Sequence, residues 1–170
     1  MAATYELIAS NTLGSSAASV TFSNIPATYT DLVLRWSARC DTTTENVDIQ
    51  LNAATTNYSL TYLDGYGSSG TASGRLTTGL VGIRVYGMTN SNNTANTFGS
   101  AEFYLPNYAN STNKPNSTFA VTETNGTVAL IQAVAGLRSN TDAVSSLKLA
   151  TGSGNFVSGS SFFLYGIKNS

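Results

Sequence analysis

A chain of 170 residues that is 41% apolar and only 10% charged has enough length and apolar content to bury a core, so it is not a disordered tail. Its formal charge of −1, from 8 basic and 9 acidic residues with no basic run, argues against nucleic-acid binding through phosphate neutralisation. The charge missing relative to the roughly 25% of ordinary soluble domains is replaced by Ser, Thr, Asn and Gly. Such a surface suits contact with other chains, with sugars or with water.

Period-two alternation runs along most of the chain. Tyr5 to Ser10 and Ser19 to Phe22 read as short strands. Leu32, Leu34, Trp36 and Ala38 then oppose Arg35, Ser37 and Arg39, which predicts a half-buried strand with Trp36 in the core. Val47, Ile49 and Leu51 alternate with Asp48, Gln50 and Asn52, and Tyr58, Leu60 and Tyr62 with Ser59 and Thr61. Asp64 to Gly74 is so rich in Gly and Ser that it predicts a flexible loop, and Thr89 to Asn96 predicts a polar connection.

Leu80 to Tyr86 reads as a further strand, followed by Ala101, Phe103 and Leu105 alternating with Ser100, Glu102 and Tyr104. Phe119 and Val121 form the apolar phase of the next strand, against Thr118, Ala120 and Thr122. Asn125-Gly126 predicts a type I′ hairpin turn. Val128 to Leu137 follows that turn and contains Gly136, which favours strand over helix, and Thr141 to Val144 has room for one helical turn. Val144 to Ala150 and Ser161 to Ile167 complete the series. The last has Phe162 and Leu164 on one face and Phe163, Tyr165 and Ile167 on the other, so it should lie between two packed surfaces, its own core and a neighbour. Pro26, Pro106 and Pro115 are expected between strands. About eleven short strands with turn signals between them predict an all-β sandwich or barrel in one domain, 1–170.

Chemistry is sparse. The chain has no histidine, which removes the commonest general base and the usual zinc and iron ligand sets. Gly65, Gly67, Gly70 and Gly74 do not have dinucleotide-binding spacing. Glu102 and Glu123 are the one pair with glycosidase chemistry, but solvated strand-face carboxylates are the simpler reading. Asp41, Glu45 and Asp48 offer hard oxygen ligands for calcium without EF-hand spacing, and read more simply as a polar turn. Cys40 reads as a small strand residue, and the sequons at Asn57, Asn92, Asn110, Asn116 and Asn125 are expected by chance in this composition. Tyr58, Tyr62, Tyr66, Tyr104 and Tyr108 are numerous enough for a sugar-stacking platform or an interface. Tyr66, set among glycines, has no obvious core position. No cofactor, metal site or catalytic residue is predicted. Met1 to Glu6 has neither the basic nor the apolar region of a signal peptide, and no apolar run approaches a membrane span.

Ser23-Asn24-Ile25-Pro26-Ala27-Thr28-Tyr29-Thr30-Asp31-Leu32-Val33-Leu34, Phe98-Gly99-Ser100-Ala101-Glu102-Phe103-Tyr104-Leu105-Pro106-Asn107-Tyr108 and Gly159-Ser160-Ser161-Phe162-Phe163-Leu164-Tyr165-Gly166-Ile167-Lys168 resemble a group of small β-rich virion structural proteins of tailed bacteriophages, including cyanophages. The likeness spans most of the chain and is diffuse between these segments. It implies a capsid cement (decoration) protein or a part of a fibre. Combined with the strand pattern, it leads to the expectation of an antiparallel β-sandwich of jelly-roll type with little or no helix. Such a protein would be a homotrimer bound to the major capsid protein on the virion surface, with no nucleic acid or membrane as partner. The expected interface residues are Tyr5, Leu7, Phe163, Tyr165 and Ile167, with Tyr66 in addition. The alternative is a tail- or head-fibre domain that binds host-surface glycans through Tyr66 and Tyr108.

Overall fold

The computed structural model describes residues 5–44, 46–67, 70–126 and 129–168. Among these, every regular element is a strand: β1 (Tyr5–Thr12), β2 (Ser19–Phe22), β3 (Asp31–Ala38), β4 (Val47–Leu51), β5 (Tyr58–Tyr66), β6 (Gly70–Leu76), β7 (Ile83–Val85), β8 (Gly99–Leu105), β9 (Lys114–Glu123), β10 (Ala129–Arg138), β11 (Leu147–Thr151) and β12 (Ser161–Ile167). They form an eight-stranded sheet, β1-β12-β3-β8-β9-β10-β5-β6, and a four-stranded sheet, β2-β11-β4-β7. The N- and C-terminal strands run together in both sheets. β1 pairs with β12 and β2 with β11, then β3 takes the other side of β12 and β4 the other side of β11, all antiparallel. The chain therefore wraps as one long folded hairpin, a β-sandwich of jelly-roll type.

Alternation places the core. Leu32, Leu34 and Trp36 of β3, Phe103 and Leu105 of β8, and Phe162 and Leu164 of β12 face Val47, Ile49 and Leu51 of β4 and Leu147 and Leu149 of β11, all buried. Trp36 Nε1 donates to Gly87 O at 2.9 Å, which satisfies the polar end of the ring inside the core. Cys40 is buried beside Thr42 Oγ1 at 3.3 Å. β12 is an interior strand: Phe162 and Leu164 are fully buried, whereas Phe163 and Tyr165 are half-buried by their own chain.

Several expectations are corrected. Where described, Asp64 to Gly74 is not a flexible loop; Ser68 and Ser69 lie outside the described residues. Its first part completes β5 and its last part is β6, paired from Leu60↔Leu76 to Tyr66↔Gly70. Ladder hydrogen bonds to β5 outweigh the low strand propensity of Gly and Ser, which is a weak local term. The inward phase of β9 is the reverse of the expected one. Thr118, Ala120 and Thr122 are buried, and Phe119 points outward at 55% exposure. The cause is tertiary: Gly87 lies across this part of the sheet so closely that an added Cβ would sit 3.1 Å from Ala101 Cβ and 3.3 Å from Ala120 Cβ. Only small side chains fit beneath that segment.

Pro115 lies inside β9, opposite Leu137 of β10. The β8 ladder stops at Tyr104↔Ser117, so on that side β9 is already an edge, and the missing N–H costs no ladder bond. Leu80 to Tyr86 contributes only Ile83–Val85 as strand, and Val144 to Ala150 forms strand from Leu147. The hairpin at Asn125 is present, with Glu123↔Ala129 the last described pair before the turn; Thr127 and Val128 lie outside the described residues. Asn125 has φ 50°, while Gly126 is not among the positive-φ glycines. No helical turn forms at Thr141 to Val144; Asn140 Oδ1 accepts from the Asp142 N–H at 2.7 Å and turns the chain locally instead.

Candidate functional site

The outward phase of the larger sheet carries the most exposed apolar side chains. Cross-strand register puts Arg35, Glu102, Phe119, Ala133, Leu63 and Ser73 in one row across β3, β8, β9, β10, β5 and β6. Ile131 sits one pleat along, opposite Val121. Leu63 (57%), Phe119 (55%) and Ile131 (56%) are each more than half exposed on three adjacent strands. Ser117, Ala133 and Ala135 between them are small, so Phe119, Leu63 and Tyr104 wall a shallow hollow of about 610 Å³. A second hollow of about 460 Å³ continues past Val121 and Ile131. Sequence reasoning missed Leu63, Phe119 and Ile131, because which phase of a strand faces out is decided by what lies on the other side of the sheet.

The other end of the same face holds most of the residues expected from sequence. Tyr5 and Leu7 are about half exposed at the β1 edge. The rings of Tyr5 and Tyr165 meet edge-to-face at 6.4 Å, and the Arg35 guanidinium lies 5.7 Å and 5.9 Å from their centroids. Arg35 Nε also contacts Glu102 Oε2 at 2.6 Å, a bond that raises the Arg35 pKa. Ile167 is only 8% exposed and offers little to a neighbour. Tyr66 is on the opposite phase of β5 and lines a separate cleft, and it also borders the hollow beside Val121 and Ile131.

That cleft opens where β5 and β6 reach past β7, the edge of the smaller sheet. It encloses about 250 Å³ and is lined by Leu60, Tyr62, Asp64, Tyr66, Leu76, Arg84, Tyr86 and Gln132. Asp64 and Gln132 are buried, with Gln132 Nε2 donating to Asp64 Oδ1 at 2.8 Å and Gln132 Oε1 accepting from the Tyr86 N–H at 2.8 Å. Tyr66 Oη donates to Asp64 Oδ2 at 3.1 Å, and its pKa is raised first by burial and then by the Asp64 charge. Arg84 reaches away to Asp48, at 3.0 Å and 3.4 Å.

The remaining candidates are structural. Tyr108 is fully buried, its hydroxyl bonded to Pro26 O, so it cannot present a ring to a glycan. Tyr58 is buried with its hydroxyl accepting from Leu51 N at 2.9 Å. Tyr104 donates to Asp31 Oδ2 at 2.8 Å, and burial followed by that bond raises its pKa. Glu102 faces Phe119 across the ladder, and Glu123 is four residues further along β9. At about 3.4 Å per residue their backbone positions are roughly 14 Å apart along the strands, against a carboxyl separation of about 5–9.5 Å in paired glycosidase acids. Asp41 accepts from the Asn155 backbone N–H at 2.8 Å and its side-chain amide at 3.0 Å, which hold its carboxyl below the ordinary range. Asp48 is buried against Arg84, and Glu45 lies outside the described residues. Among the described residues no cluster of three His, Cys, Asp or Glu side chains is placed to hold a metal, and no helix is long and apolar enough to cross a membrane.

The chain matches no protein-family model and no curated protein. Solved structures similar to it include the galectin LEC-6 of Caenorhabditis elegans, 12% identical over 98% of this chain and 96% of that one, with a TM-score of 0.36. Congerin II, in a form liganded by lactose and MES, is 13% identical over 82% of this chain and 94% of its own, with a TM-score of 0.34. The CBM40 of a Ruminococcus gnavus IT-sialidase, bound to α2,6 sialyllactose, is 9% identical over 97% and 95%, with a TM-score of 0.34. All three are likenesses of strand layout; identity this low carries no ligand from one chain to another.

Proposed function

We propose that this protein is a bacteriophage virion structural protein, a capsid cement that binds the outside of the shell through the outer face of its larger sheet and does no catalysis. The observation that supports the reading is the contiguous apolar surface of Leu63, Phe119 and Ile131, since single exposed apolar residues are ordinary but a patch on adjacent strands marks a contact surface. Few charges need be stripped of water when it is covered, because only 10% of residues are charged. Its partner is the major capsid protein. The edge cluster of Tyr5, Leu7 and Tyr165 supplies the contact between copies in a homotrimer. Cement of this kind stabilises a head by mass action, binding the assembled shell and not the loose subunits.

The experiment is to image the particle and count this density. Hundreds of copies over the shell are expected, with the eight-stranded sheet turned inward; a few tens of copies or fewer at a fibre would overturn the reading. A fibre domain that binds host-surface glycans is the second reading, favoured by the tyrosine-lined cleft at the β5–β6 edge.

A further inference from the structure

We propose that the cleft between β5, β6 and β7 binds one neutral hexopyranose unit. Strand β6 places only Leu76 there as a large side chain. Gly70 stands opposite Tyr66, Ala72 opposite Asp64 and Gly74 opposite Tyr62. A Cβ on Gly74 would fall 2.7 Å from Tyr62 Oη and 2.9 Å from Cζ, so the Tyr62 ring lies directly over bare backbone. The Gly/Ser-rich segment therefore makes room for a flat aromatic surface, against which the apolar C–H face of a sugar ring can stack.

The polar part is equally specific. Asp64 is 2% exposed, has no ion-pair partner among the described residues, and is held by two neutral donors, Gln132 Nε2 and Tyr66 Oη. A carboxylate has about four acceptor positions, so about two remain for ligand hydroxyls. The ligand that suits it is rich in O–H donors and carries no negative charge, because an acid would meet the Asp64 carboxylate while Arg84 is engaged by Asp48. A volume of about 250 Å³ corresponds to about eight waters at about 30 Å³ each, which is room for one ring. This site does not depend on docking to a shell: it opens on the phase of β5 opposite to Leu63, so loss of capsid binding and loss of sugar binding are separate results.

The test is an NMR titration of the isotopically labelled protein with the methyl glycosides of glucose, galactose, mannose and N-acetylglucosamine, and with glucuronic and N-acetylneuraminic acids. At least one neutral glycoside is expected to bind in the millimolar range, with shifts confined to β5, β6 and Tyr86, and neither acid is expected to bind. Tyr62→Ala and Asp64→Asn should each weaken binding about tenfold or more. Gly74→Val should do the same by displacing the Tyr62 ring while leaving Asp64 in place, which keeps the test informative if Asp64→Asn unfolds. The proposal is overturned if no neutral glycoside shifts these resonances at about 100 mM, if the acids bind as well as the neutral sugars, or if well-folded Tyr62→Ala and Gly74→Val bind like the parent.

Discussion

Replacing Leu63, Phe119 and Ile131 together with serine separates the outer face from the fold. Fully burying a Leu, Ile or Phe side chain is worth about 1.5–3 kcal/mol, and each of the three has slightly more than half of its surface still exposed. Covering that remainder is worth about 1–1.5 kcal/mol per residue, so the triple variant should lose roughly 3–4 kcal/mol of docking energy. At 1.4 kcal/mol per tenfold, that is a several-hundred-fold weakening of binding. The fold should tolerate the change, because the outward side chains touch little of the core and surface substitutions usually fall within about 0.5 kcal/mol each. Under the proposed cement role, co-sedimentation with phage heads that lack this protein reads the first effect, and thermal unfolding followed by circular dichroism reads the second. A triple variant that melts like the parent and still binds heads with parental affinity would refute the assignment of this face.

Three further outcomes test the fold. A Cβ on Gly166 would lie 2.3 Å from Tyr29 Cγ, so Gly166→Ala should cost about 1–3 kcal/mol by overpacking, lowering the melting temperature by several degrees; in a Tyr29→Ala background the same change should cost far less, as measured by a double-mutant cycle. Asp31 is buried and accepts from Tyr104 Oη at 2.8 Å and Asn107 N at 2.9 Å, so Asp31→Ala should cost about 1–3 kcal/mol in a urea titration by stranding the Asn107 N–H. Lys114 is buried with its ammonium donating to Asn110 O at 2.6 Å and to Thr112 O. Burial, and next the Arg138 charge, lower its pKa from 10.5 against a smaller opposing effect of Asp142. The unfolded chain then keeps the Lys114 proton to higher pH than the folded one, so stability should rise as pH climbs from the folded toward the unfolded value. Followed in both proteins up to about pH 10.4, the unfolded lysine value, the parent should gain stability relative to Lys114→Met as pH climbs, the tyrosines being common to both; an identical pH dependence would contradict the buried charge.

Much of the architecture was legible in local pattern. Ser19–Phe22 and Ser161–Ile167 are strands with the bounds read from the sequence, and the Val47 strand ends one residue short of the Asn52 to which its alternation runs, because period two reports directly on which backbone segments can be half-buried. Trp36 was legible as core for the same reason: its phase is shared with Leu32 and Leu34. The absence of histidine and of clustered charge was a matter of counting, and it narrowed the chemistry before any geometry was known.

What alternation could not say is which phase faces inward when both are tolerable, or which strand a segment joins. Phe119 is outward because Gly87 occupies the inner side above Ala120, a neighbour 33 residues distant in the chain. Gly70 to Gly74 is a strand because β5 supplies its ladder, and its glycines make sense only beside Tyr62 and Tyr66 across that ladder. The outer apolar face and the tyrosine cleft are both products of long-range pairing. Propensity and periodicity act over a few residues, whereas the space on either side of a sheet is set by chain that arrives from elsewhere, and that is why only the tertiary structure decided them.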